Sequence, residues 1–344
     1  MDKKDQIILQ QLDVIRSMTE NNVRRMGSDF WGTPFQDVGK APAAPGKPAE
    51  PEKPVPPTAD AKPGDAAPEK AEELPPPEKI EDLLAELDTY IGLNVVKDEV
   101  HDLINMVQVY KLREQHDLPT TDMSLHMVFT GNPGTGKTTI ARLVAKYLKA
   151  IGALGGGQLV EVTRADLVGR YTGHTAPLTN SVIESALGGV LFIDEAYSLY
   201  RGEQDSFGLE AIDTLVKGME DHRDELVVIL AGYTKEMEVF LTANSGLASR
   251  FPNKIEFPDY TADELLDITA VLAKGKGYRL AESCTFPLLG YYKRRQALDS
   301  RTAGNGRLAR NTLEKAIFNQ SRRLVAEPNA PLDLILPSDL EFDE

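Results

Sequence analysis

The eight residues GNPGTGKT, 131 to 138, restrict this chain more than any other stretch. They follow the apolar run LHMVFT, 125 to 130, and lead into IARLVAKYLKAIG, so they join a buried strand to a helix. The spacing is G-x-x-x-x-G-K-[ST] in the strand-loop-helix setting that this motif requires. Glycines let the backbone curl with its N–H groups pointing inward, and the helix start adds its positive end, so the loop forms a cradle for phosphate. The residues expected to line it are Asn132, Pro133, Gly134, Thr135, Gly136, Lys137, Thr138 and Thr139. Lys137 is expected to reach the β and γ phosphates, and Thr138 to hold Mg²⁺. The implied ligands are ATP and Mg²⁺.

A second element fits the first. VLFIDE, 190 to 195, ends an apolar strand in two adjacent carboxylates, Asp194 and Glu195, at the strand edge where open α/β sheets bind ligands. Burial forbids unpaired charges there, so both need a task. Asp194 is suited to hold Mg²⁺ through water, and Glu195 to orient and polarise the water that attacks the γ phosphate. Hydrolysis follows, and not binding alone.

Further strands read at QLVEVT (158 to 163), LVVILAGY (226 to 233) and NKIEFP (253 to 258), with helical patterns between them. Such alternation predicts an α/β domain over 79–260 with a mostly parallel sheet. After Tyr260 the strands stop; TADELLDITAVLAKGKG, with a Thr cap and an acidic first turn, and GRLARNTLEKAIFNQSRRLV predict a small helical domain over 261–326 and a C-terminal tail over 327–344. Residues 1–30 carry Ile8, Leu12, Ile15 and Met18 at helical spacing, a lone amphipathic helix. From 31 to 78 the chain is rich in Pro and Ala, cannot bury enough apolar surface to fold, and reads as a disordered linker that tethers that helix.

At 344 residues and 41% hydrophobic content there is material for a sizeable core. The net charge of −15 opposes a phosphate backbone, so nucleic acid is not an expected partner. No run of 18 apolar residues and no signal peptide stand in the sequence, and the single cysteine, Cys284, forms no internal disulfide, so a cytoplasmic protein without a membrane span is expected. The five histidines are scattered over different elements, which predicts no metal site beyond Mg²⁺.

GNPGTGKT, VLFIDEAYSL, LVVILAGY and the helical tail resemble the AAA+ ATPases. The stretches LDTYIGLNVVKDEV, LVGRYTGHTAP, FGLEAIDTLVKGMED and SRFPNKIEFPDYT are similar to the CbxX/CfqX branch, over about residues 80 to 326. That resemblance implies a P-loop NTPase of AAA+ fold, with a five-stranded parallel sheet in the order 5-1-4-3-2 followed by a small helical lid domain. It places Ile91 and Gly92 beside the adenine. It implies that Arg250, in LASRFP, is an arginine finger entering the neighbouring subunit's site, where a fixed guanidinium charge suits the transferred phosphoryl group. Arg307, in GNGRLARN, matches the second sensor arginine, with Arg310 one turn on as the alternative. Where many AAA+ proteins carry a polar first sensor, this chain reads AGYTKEM, which offers Tyr233 or Thr234.

The same resemblance explains VGRYTGHT, 168 to 175. In a ring of subunits the loop after the second strand faces the central channel, so Tyr171 and Thr172 are expected to touch a protein client; Tyr offers a large apolar face with little side-chain entropy to lose. The loop RGEQDS, 201 to 206, is a possible second channel loop. The function implied is a homo-oligomeric, hexameric ATPase that remodels or threads a protein, of a general or sporulation type. The alternatives are an ATP-switched assembly scaffold and a Rubisco activase-type remodeller.

Overall fold

The computed structural model describes residues 78–342, apart from 120–123, 243, 299–302 and 328. The expected N-terminal helix and the Pro/Ala-rich linker lie outside the described residues. In chain order the first elements are α1 (Ile80–Thr89), α2 (Asn94–Gln115), β1 (Met127–Gly131) and α3 (Lys137–Ala150). They are followed by β2 (Leu159–Val162), α4 (Arg164–Leu167), α5 (Thr175–Ala186), β3 (Val190–Ile193) and α6 (Ser206–Asp221). Then come β4 (Val227–Gly232), α7 (Thr234–Thr242), α8 (Ser245–Arg250) and β5 (Asn253–Phe257).

The five strands lie in the order β2-β3-β4-β1-β5, all parallel, which is the expected order read from the other edge. Register pairs Met127 with Ile229 and with Asn253, and Val190 with Val227. Strands β3 and β4 are buried at every residue, as befits strands covered on both faces, while β2 and β5 at the edges are partly exposed. Side chains alternate between two cores. Met127, Phe129, Phe192 and Ile229 face α1, α2 and α3. Val128, Leu191, Ile193 and Leu230 face α5, α6 and α7. The sheet is thus wound on both faces, and its C-terminal edge is left open for a ligand.

Beyond Tyr260 the chain forms α9 (Ala262–Gly275), β6 (Arg279–Leu280), α10 (Thr285–Leu298), α11 (Asn305–Ala326) and β7 (Leu334–Ile335). Thr261 opens α9 with a capping box, its hydroxyl accepting from the Glu264 N–H and the Glu264 carboxylate accepting from the Thr261 N–H at 2.7 Å. Leu265, Leu288, Tyr292 and Leu308 continue the first core into this lid.

Two expectations change here. Strands do not stop at Tyr260, because β6 and β7 pair in parallel over two residues each. Residues after Ala326 do not trail as a tail outside the lid. Asp339 is 1% exposed, and its two carboxylate oxygens accept from the Nε and Nη2 of Arg323 on α11, each at 2.8 Å. Its burial alone would raise its pKa, but the Arg323 guanidinium and the Leu336 N–H outweigh that and hold the carboxyl below its ordinary value. Gln320 donates to the carbonyls of Leu332 and Leu334, and the Cys284 thiol to that of Ile335. Two-residue strands carry no periodicity, so sequence pattern gives no sign of them.

Candidate nucleotide site

The C-terminal ends of β1, β3 and β4 meet the lid around a cleft of about 560 Å³. On its floor the phosphate loop curls through three glycines in the left-handed region, Gly131 at φ 143°, Gly134 at 77° and Gly136 at 100°. Gly136 precedes α3 and offers no side-chain cap, so the first N–H groups of that helix are open to an anionic ligand. Pro133, Gly134, Gly136, Lys137, Thr138 and Thr139 line the cleft. Asn132 and Thr135 do not. The Asn132 amide donates to both carboxylate oxygens of Asp259 at 2.9 Å, and the buried Thr135 hydroxyl donates to the Asn132 carbonyl. Both brace the loop from behind with their side chains, leaving only their backbone for the ligand.

Lys137 donates to the carbonyls of Gly131 at 2.9 Å and Asn132 at 2.8 Å. Burial is the main cause that pulls its pKa down to about 8, assisted by Arg307 and opposed by Asp194 and Asp259. A half-buried ammonium whose direct hydrogen bonds go only to two neutral carbonyls is suited to exchange them for a phosphate anion.

Asp194 and Glu195 both line the cleft, but just past the end of β3, with Asp194 half-buried and Glu195 exposed. The expected burial of the pair does not hold, and solvent removes the demand for a counter-charge. Position is what singles them out. Glu195 stands at φ 48°, a conformation that costs a non-glycine residue on the order of 1–3 kcal/mol, and the Asp194 carboxylate accepts from the Glu195 N–H at 3.0 Å. Asp194 and Thr138 are the oxygen donors that fit a divalent cation beside phosphate. Among the described residues no group of three or more His, Cys, Asp or Glu side chains clusters to bind a metal unaided.

Of the two residues offered for the first sensor, Tyr233 lines the cleft and Thr234 does not. Tyr197, which sequence reasoning missed, lines it too, its ring 5.6 Å from that of Tyr233. Burial, reinforced by Glu195, pushes the Tyr197 hydroxyl up to about 12, so it remains a proton donor at neutral pH. Its signal was its place three residues after Asp194 in VLFIDEAYSL. Ile91 also lines the cleft, with Tyr90, Leu93, Ile268, Val271 and Leu272, a largely apolar group of side chains. Gly92 is instead a turn residue at φ 64°, where a Cβ would run into Glu264. The lid residues of that apolar group were read in the sequence only as part of a helix. Arg307 and Arg310 both reach the cleft.

Arg250 lies outside this cleft. Its guanidinium pairs with Glu220 and donates to the Gly246 carbonyl. Tyr171 is 69% exposed and Thr172 is exposed, on a loop that leaves β2 only after the short helix α4. Buried Thr175 and Thr179 pin the base of that loop by bonds to the Gly169 N–H and the Leu167 carbonyl, and Gly173 at φ 82° turns its tip. The RGEQDS stretch does not present Asp205 to a client. That carboxylate pairs with Arg164 at 2.7 Å and caps α6 through the Gly208 N–H.

The family model for the ATPase family associated with various cellular activities (AAA) matches residues 127–259, and the AAA lid domain model matches 261–344. The chain is 43% identical over 262 residues to stage V sporulation protein K of Bacillus subtilis, covering 76% of this chain and 80% of that protein. It is 44% identical over 256 residues to a chloroplastic ribulose bisphosphate carboxylase/oxygenase activase of Cyanidioschyzon merolae, covering 74% and 87%. To protein CbbX of Cereibacter sphaeroides it is 44% identical over 254 residues, covering 73% and 82%.

Proposed function

This chain belongs to the AAA+ ATPases, and from that premise we propose a ring-forming motor that pulls on a protein client through a central channel. Hydrolysis of ATP to ADP and phosphate is its chemistry. The observation that supports the ring is that Arg250, which the resemblance makes the phosphoryl-stabilising arginine, stands away from the cleft lined by Lys137, Thr138, Asp194 and Glu195. A charge that must reach the γ phosphate, and does not do so in its own chain, is supplied by an adjoining copy.

In this reading the loop amides from Gly134 to Thr138 take the phosphate charge, and Lys137 leaves its two carbonyls for the β and γ phosphates. Thr138 and Asp194 hold the cation; magnesium, when bound, neutralises charge developing on the phosphate oxygens. Glu195 orients and deprotonates the attacking water, with Tyr233 beside it. Arg307 carries the γ-phosphate state to the lid, with Arg310 one turn along. Ile91, with Gly92 setting the turn behind it, packs the adenine against Leu272. Tyr171 and Thr172 grip the client, and the exposure of Tyr171 on a pinned loop supports this.

Two inactive variants test the shared site. Glu195→Gln and Arg250→Ala should each lose hydrolysis alone, and an equimolar mixture should regain part of it, because mixed interfaces combine an intact Glu195 with an intact Arg250. A mixture as inactive as its parts rejects the ring. Tyr171→Ala should keep ATP hydrolysis and lose client unfolding; retained unfolding removes threading.

A second reading, that the client is Rubisco, is favoured by the activase relative at 44% identity. Release of a tight-binding sugar phosphate from inhibited red-type Rubisco decides for or against it. A switched scaffold, by contrast, should work normally as the Glu195→Gln variant in ATP.

A further inference from the structure

The lid meets the phosphate loop through a chain of amides that neither hydrolysis nor threading has used. Asp259 lies between two amide donors: Asn132 of the loop at 2.9 Å to both oxygens, and Asn305, the first residue of α11, at 2.8 Å. The Asn305 amide also lies 3.4 Å from the Pro133 carbonyl, and its oxygen accepts from the Tyr260 N–H at 3.0 Å. Beside it the Gly306 N–H donates to the Gly134 carbonyl at 3.0 Å, and the Tyr260 hydroxyl to the Thr135 carbonyl at 3.2 Å. Asn305 is 2% exposed and sits at φ 45°, a strained conformation for a residue with a Cβ, which persists where surrounding bonds over-determine it.

We propose that Asn132, Asp259 and Asn305 form a clasp that couples the state of the phosphate loop to the position of the lid. Asn132 is the connecting residue. Its carbonyl is the one that Lys137 holds at 2.8 Å, while its side chain grips Asp259. When Lys137 turns to phosphate, the Asn132 peptide loses a charged donor, and the change passes through Asp259 to the start of α11, two residues before Arg307. These are positioning residues, acting through the lid and not on the reacting atoms. The carboxylate suits the middle place because it only accepts, and both neighbours present N–H groups. An amide at 305 supplies what a carboxylate there does not: a donor to Asp259 together with an acceptor for Tyr260.

The test exchanges donor and acceptor. Asn305→Asp sets two carboxylates against each other, and Asp259→Asn combined with Asn305→Asp returns a donor to an acceptor. Spin labels on exposed Val239 and Val325, as Val239→Cys and Val325→Cys, report the distance from base to lid in ADP and in a non-hydrolysable ATP analogue. The wild-type distance should change with nucleotide. In Asn305→Asp it should not, with kcat lowered about tenfold and nucleotide Kd altered less than about threefold; the double exchange should recover most of both. If Asn305→Asp does not fold, Asp259→Asn alone, which keeps the shape and removes the charge, carries the same expectation. An Asn305→Asp protein with wild-type lid movement and kcat overturns the clasp, as does a folded double exchange that recovers neither. The inference rests on the ATPase reading above: a wild-type chain that binds no nucleotide sinks both, whereas normal binding with uncoupled results in the variants sinks the clasp alone.

Discussion

The guanidinium of Arg250 is held by Glu220 of its own chain at 3.0 Å, while its Nε is buried without a hydrogen-bond partner. The pair is partly exposed, so it contributes about 1 kcal/mol or less and is readily exchanged for a better anion. Glu220 therefore parks the arginine without locking it. Glu220→Gln should leave the melting temperature unchanged and raise ATP turnover at low protein concentration by up to about fivefold. Arg250→Ala should lower kcat by about a thousandfold while calorimetric nucleotide affinity is retained. Turnover that ignores both substitutions contradicts the role given to Arg250.

Lys137 carries a pKa of about 8, lowered first by burial. A bound triphosphate favours its charged form and raises that value. Nucleotide binding near pH 8.5 should then take up a proton, and affinity should weaken as pH rises above about 8. Calorimetry in two buffers of different ionisation enthalpy reads the proton directly. The effect should shrink in Arg307→Ala, which removes a charge that lowers the Lys137 pKa.

His126 is buried at the start of β1, its Nδ1 accepting from the Val228 N–H at 3.0 Å. Burial, with a smaller contribution from Arg250, pulls its pKa from 6.5 to about 4. Between those values the unfolded chain binds the proton that the folded chain refuses, so stability rises with pH across this window and is lost as pH falls through it. The loss from this group is on the order of 3 kcal/mol. Chemical denaturation of His126→Gln between pH 4 and pH 7 should show a shallower dependence than wild type.

Asp205 and Arg164 form a mostly buried pair, and the hydrogen bond from Arg164 is the main cause that holds the Asp205 carboxyl below its ordinary value. Asp205→Ala should cost about 3 kcal/mol or more, because it strands the guanidinium and uncaps α6. The double variant with Arg164→Met should be less destabilised than the sum of its parts. Thermal unfolding of the four proteins of that cycle measures the coupling.

Much of this architecture was legible. GNPGTGKT between a strand and a helix located the cleft, and the edges of all five sheet strands fell within two residues of expectation, because β-branched runs bounded by turn residues mark them plainly. The strand order came from resemblance and not from periodicity. What stayed hidden depends on distance along the chain. Asn132 and Asp259 are 127 residues apart, and no pattern in either neighbourhood shows that the loop asparagine faces away from its ligand. Asp205 stands in a charged run offered as a second channel loop, and nothing near it in the sequence points to Arg164, 41 residues away, as its partner. Glu195 does line the cleft, but the argument from burial that singled it out is not supported by its exposure.

Gly134 has one further implication. A Cβ built on it would strike the Gly304 carbonyl and crowd Arg307, so its smallness serves the lid as well as the loop's curl. The motif is in effect half of a socket whose other half lies some 170 residues downstream. Anyone transplanting this loop into another ATPase must move residues 304–307 along with it, or the graft will hold its ligand under a roof that cannot shut.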